Sequence, residues 1–135
     1  MTLNLTGDEM CFACGRLNPI GLKLEFESDG VVCRTTFTPT DEHQGWNGYM
    51  HGGIISTILD EVMAQWLHLK GYKTMTAEMT VRFKKPVPVS VTVTAISRLV
   101  SRKKRLFQLE GELFLPGGEL AASATSKFLL VGKPR

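Results

Sequence analysis

The stretch HGGIISTILDE, residues 51–61, places a histidine and two glycines ahead of two adjacent acids. Carboxylates accept protons or attack carbonyl carbon, so Asp60 and Glu61 are candidate bases or nucleophiles. Gly52 and Gly53 stand where an apolar run of helical spacing begins. A helix N-terminus carries unpaired N–H groups and the positive end of the helix dipole, and glycine lets a ligand oxygen approach the main chain closely. An oxyanion site is built in this way; the alternative is only a tight turn into the helix.

Ile54, Ile55, Ile58, Leu59, Val62, Met63, Trp66 and Leu67 recur with a helical period from His51 to about Leu69, and Gly71 ends it. At ~100° per residue from Ile54, the large apolar side chains fill an arc from zero to ~220°. Thr57, Glu61, Gln65 and His68 fall together between ~300° and ~20°, which predicts a solvent-facing stripe. Asp60, at ~240°, borders the buried face, where desolvation should raise its pKa. The helix therefore assigns Asp60 the functional role and Glu61 the bland one. His51 and Asp60 are nine residues apart, roughly 13 Å along a helix axis, too far to serve one atom in one chain. Two antiparallel copies of the helix bring them together, so the spacing predicts a site shared across a homodimer.

The elements that hold this helix are strands. Leu22, Leu24 and Phe26, then Val31, Cys33, Thr35 and Phe37, alternate about Asp29-Gly30 and predict a hairpin over residues 21–38. Residues 39–50 have no period and read as a functional loop. After the helix, Ala77, Met79, Val81 and Phe83 predict one strand face, and Val89, Val91, Val93 and Ala95 a second. Phe107, Leu109 and Leu113 predict a third, and residues 119–131 a last strand. The expectation is a single α+β domain over residues 1–135, with an N-terminal segment over 1–20 and an antiparallel sheet of about six strands wrapped around one central helix over 51–69. Its free edge favours pairing with a second copy, as a homodimer or homotetramer.

With 43% hydrophobic and 21% charged residues in 135, neither disorder nor a membrane span is expected. The first ten residues do not read as a signal or transit peptide, which makes the cytoplasm the expected location. Three cysteines argue against a disulfide framework. Cys11-x-x-Cys14 has metal-ligand spacing but no second close pair; a zinc site would have to draw on Cys33 and a histidine, and no metal is expected. A net charge of +3 suits a small anionic ligand.

These residues resemble a family. HGGIISTILDE, QGWNGYMHGG before it, TMTAEMTVRFKKPVP after it and CFACGRLNPIGLKL near the start are similar to hotdog-fold acyl-coenzyme A thioesterases of the phenylacetate-pathway (PaaI-like) type. The resemblance spans residues 11 to about 131. It implies Asp60 as general base or nucleophile, Gly52 N–H as oxyanion donor with Gly53 beside it, His51 as a group orienting the carbonyl, and Thr76 near the attacking water. Many relatives carry Asn where this chain has Gly45, and Gln44 or Asn47 is the candidate substitute. No cofactor is implied.

Coenzyme A brings phosphates, for which Arg82, Lys84 and Lys85, and a second cluster of Arg98, Arg102, Lys103, Lys104 and Arg105, are candidate partners. Solvated turns are the alternative reading of both clusters. With no aromatic residue interleaved, they do not suggest nucleic-acid binding. Trp46, Tyr49 and Trp66 suit an acyl pocket or a core. Two other functions remain open: an acyl-coenzyme A binding or sensing protein, and a hydratase or dehydratase of the same fold. Dehydratases of the fatty-acid type pair a histidine with an acid about fourteen residues later, and from His43 that count reaches Thr57, which is no acid.

Overall fold

The computed structural model describes residues 7–131; part of the expected N-terminal segment, residues 1–6, lies outside them. Two short strands, β1 (Glu27–Ser28) and β2 (Cys33–Phe37), precede a helix, α1 (Gly52–His68). Four longer strands follow: β3 (Thr74–Phe83), β4 (Val93–Lys103), β5 (Leu106–Phe114) and β6 (Leu120–Leu130). They form one six-stranded sheet in the order β1-β2-β4-β5-β6-β3, with every neighbouring pair antiparallel. α1 packs against β2 through β6, as the apolar period requires.

α1 starts one residue later than expected because His51 caps it, accepting the Gly53 N–H at Nδ1. Its buried residues Ile55, Ile58, Leu59, Val62, Met63, Trp66 and Leu67 meet inward residues of the sheet such as Leu109, Leu113 and Phe128. Two features set how close the helix lies. Buried Ser97 Oγ on β4 donates to the Val62 carbonyl at 2.6 Å. On β5, a Cβ at Gly111 would stand 3.4 Å from both Leu59 Cδ2 and Met63 Cγ.

Three expectations are corrected. Leu22 and Leu24 are buried but lie outside the sheet: their N–H groups donate to Phe12 and Ala13 carbonyls, both at 2.9 Å, so the hairpin is paired only at Glu27–Ser28. Val89 and Val91 precede β4, because Pro86, Pro88 and Ser90, with φ of 75°, turn the chain there. The 39–50 loop is structured, with a 3-10 turn at Asp41–His43 and a bridge between Gln44 and Met50.

Gly111→Val should push methyl groups into α1 and lower stability by about 1–3 kcal/mol, whereas Gly111→Ala, whose Cβ meets ordinary contacts, should be close to neutral. Urea unfolding of the two variants checks this.

Candidate active site

Asp60 is half-buried between α1 and the edge strand β3, and Thr76 Oγ1 donates to its Oδ1 at 2.8 Å. That bond depends on a β-bulge. Thr76 pairs with Phe128 and Glu78 with Lys127, which leaves Ala77 as the extra residue. In a regular strand, residues 76 and 79 would face opposite sides; one extra residue puts Thr76 and Met79 on the same side, toward the helix. Ala77, expected on that face, is exposed. Burial raises the Asp60 pKa above the ordinary carboxylate value, and the Thr76 hydrogen bond opposes the shift without cancelling it.

Glu61 does not face solvent as expected. Residues 11–14 cover it, with Cys11 Sγ 3.9 Å from Oε2 and Cys14 Sγ 3.7 Å from Oε1, while Gln65 Nε2 donates to Oε1 at 3.1 Å. Burial also raises its pKa, against the Gln65 bond and with the Asp60 charge. Of the expected polar stripe, only His68 is well exposed.

The start of α1 forms a second group. The Gly53 N–H bond to His51 Nδ1, 2.8 Å long, leaves Nε2 as the proton-bearing nitrogen of the neutral ring, directed away from the helix as a donor. A Cβ at Gly53 would stand 2.9 Å from His51 Nδ1, so this cap needs glycine. The Gly52 N–H has no acceptor among the described residues. His51 and Gly52 line a cleft of about 840 Å³, walled by Trp46, Tyr49, Phe83 and Lys84. Asp60 and Thr76 do not line it. The structure brings together His51 with Gly52, and Asp60 with Thr76, and keeps the two pairs apart.

The candidate accessory groups divide similarly. Gln44 is committed to its own loop, its Oε1 accepting from Gly48 N–H and its Nε2 donating to the Asp41 carbonyl at 2.9 Å. Asn47 is exposed and does not line the cleft. Lys84 and Lys85 line it, with Lys85 paired to Glu119 at 2.6 Å. Arg82 lies instead with Arg98 in a small pocket lined by Glu110 and Glu112. Arg98, grouped from the sequence with the second basic cluster, is mid-strand and bound to both of those acids at 3.2 Å. Arg102, Lys103 and Lys104 lie at the β4–β5 turn, with Arg102 over the Phe107 and Tyr72 rings. Lys84 donates to the Ala121 carbonyl, whereas Arg105 bonds Leu130, so the two basic groups sit at opposite ends of β6, roughly 30 Å apart at ~3.3 Å per residue.

A family model of the thioesterase superfamily matches residues 47–122. Among solved structures, a thioesterase superfamily protein is similar at 28% identity with a TM-score of 0.80, covering 87% of this chain; the chain spans only 61% of that protein. The E. coli PaaI protein from the phenylacetic acid degradation operon is similar at 20% identity and a TM-score of 0.77, over 84% of this chain and 83% of PaaI. A hypothetical thioesterase from Streptococcus pneumoniae TIGR4, solved with coenzyme A, is similar at 17% identity and a TM-score of 0.77, over 83% and 91%. It has also been solved with an aspartate, and separately with a threonine sixteen positions later, replaced by alanine.

A raised carboxylate pKa means that the charged form opposes folding. Asp60 contributes stability below the ordinary carboxylate range and loses it as pH rises through its raised value. Asp60→Asn should therefore melt higher than the parent at neutral pH, with the difference shrinking toward about pH 4. Thermal melts across pH check the sign; a variant that melts lower at neutral pH contradicts it.

Proposed function

This chain belongs to the thioesterase superfamily, and we propose that it hydrolyses an acyl-coenzyme A thioester to a free carboxylic acid and coenzyme A. The observation that carries this reading is the half-buried Asp60 carboxylate held by Thr76. A carboxylate with a raised pKa is a better proton acceptor than an ordinary one, and the threonine fixes the oxygen it bonds while leaving the other free. Asp60 either takes a proton from water as that water attacks the thioester carbon, or attacks the carbon itself to form an anhydride that water cleaves. Gly52 N–H and the His51 Nε2–H are the donors for the carbonyl oxygen as it gains charge. When the C–S bond breaks, sulfur leaves as thiolate; with a thiol pKa of about 8.5, it needs little help from an acid.

Both parts of the site serve one substrate if two chains meet along β3. This strand pairs only with β6 among the described residues, and Met75 and Phe83 on it are half-exposed. Antiparallel pairing of two β3 edges about a twofold axis would set the Thr76 end of one strand near the Phe83 end of the other. The Asp60 of one chain would then approach the His51 and Gly52 of its partner. Lys84 and Lys85 are proposed to hold phosphates at the cleft mouth, joined by the partner's hairpin-tip cations Arg102, Lys103 and Lys104. Three free cysteines fit a reducing compartment such as the cytoplasm. No helix among the described residues is long and apolar enough to cross a membrane.

Thiol release from a panel of acyl-coenzyme A esters tests the reading. Asp60→Asn should lower kcat about 10²–10⁴-fold while still binding coenzyme A; undiminished hydrolysis removes Asp60 from the mechanism, and binding without hydrolysis by the parent favours a sensor. Gly52→Pro keeps a residue tolerated at the first helical position and removes the N–H, so the fold should persist while kcat falls about 10²–10³-fold. Refolding an equal mixture of these two inactive variants should restore about a quarter of parental activity, because half the dimers then contain one intact shared site. No recovery argues for sites confined to one chain.

A further inference from the structure

Away from the Asp60–Thr76 pair, the fold assembles three metal-ligand side chains from distant parts of the chain. Cys11, Cys14 and Glu61 place their donor atoms within 4.8 Å of one another. A tetrahedral zinc with Zn–S of about 2.3 Å and Zn–O of about 2.0 Å has sulfur-to-oxygen edges of about 3.5 Å. Cys11 Sγ stands 3.9 Å from Glu61 Oε2 and Cys14 Sγ 3.7 Å from Oε1, and with a single oxygen taken the three donor atoms lie within 4.8 Å, so closing on a metal needs a turn of the carboxylate and up to about an ångström of contraction.

The backbone is already shaped for two sulfurs aimed at one point. Cys14 N–H approaches Cys11 Sγ at 3.5 Å, and Gly15 N–H donates to the Cys11 carbonyl at 2.8 Å. A Cβ at Gly15 would lie 2.4 Å from Cys11 N, so this tight turn admits glycine alone. N–H groups directed at a cysteine sulfur also favour its thiolate. A cleft of about 400 Å³ beside Cys14, lined by Glu9, Gln65 and His68, gives an ion and a solvent ligand access.

We propose that Cys11, Cys14 and Glu61 bind one divalent cation of the zinc class, with solvent as the fourth ligand. Two sulfurs select zinc over magnesium or calcium, which take oxygen ligands. Binding forms two metal–sulfur bonds and one metal–oxygen bond to the Glu61 carboxylate as the hydrated ion gives up water ligands, and releases two thiol protons to the buffer; no electrons move. Sequence spacing alone pointed to Cys33 and a histidine as the missing ligands; the fold supplies Glu61 instead. The site would fasten residues 8–24 to α1 one residue away from Asp60.

Cobalt(II) titration of the full-length protein, stripped with a chelator, tests this directly. One equivalent should produce a sulfur-to-cobalt charge-transfer band and tetrahedral visible bands, and zinc should displace both. The double variant Cys11→Ser/Cys14→Ser should lose the charge-transfer band, Cys33→Ala should keep it, and Glu61→Gln should weaken cobalt affinity about ten-fold or more. Absence of the band in the parent, its survival in the double variant, or its loss in Cys33→Ala overturns the proposal. Should the double variant not fold, Glu61→Gln decides alone, and an unchanged affinity overturns the site.

Discussion

Seven side chains of α1 must leave water together, and the face they share fixes how the helix lies on the sheet. At ~1.5–3 kcal/mol for each, their burial brings ~10–20 kcal/mol, against several kcal/mol for taking a carboxylate partly out of water. The apolar face therefore wins, and Asp60 is carried to the rim because it follows Leu59 and precedes Val62 by two positions on the same turn. Its raised pKa is a consequence of packing. No separate device is needed to raise it.

The same packing determines what each end of the helix meets. Gly111 and Ser97 set the helix close against β5 and β4, which leaves its start open beside Phe83 and its middle against the edge strand. The dipole end and the carboxylate are then about two turns apart along one rigid rod. Under the proposed function, a thioester would reach both only where another surface continues the sheet, which would link the separation of the two groups to the edge that β3 leaves unpaired among the described residues. On the far side, residues 11–14 close over Glu61, giving adjacent acids opposite surroundings.

Much of this was legible in the sequence where a period operates. The helix bounds, the antiparallel strands and the place of Asp60 at the buried rim all follow from spacing. What failed lacked a period. Residues 11–14 carry no repeating pattern, so nothing signalled that they would cover Glu61. Leu22 and Leu24 alternate like a strand, yet they pair with a loop. Arg98 reads as one of a basic cluster until the pairing of β4 with β5 sets Glu110 and Glu112 beside it. Thr76 was reached only through family resemblance, since counting by two turns it away from Asp60.

That last failure has a wider meaning. The identity of Thr76 is written in β3, but its direction is written in the way β3 is aligned with β6, and the Lys127–Glu78 ion pair at 3.6 Å flanks the bulge that sets it. A slip of the strand by one residue would present Ala77 to Asp60 with every residue of the site unchanged. Under the proposed function, loss of activity would then arise at Lys127 or Phe128, positions that pair with β3 and lie outside the candidate site. Such a lesion would be invisible to any inventory of active-site residues, because what it alters is the reading frame of a strand.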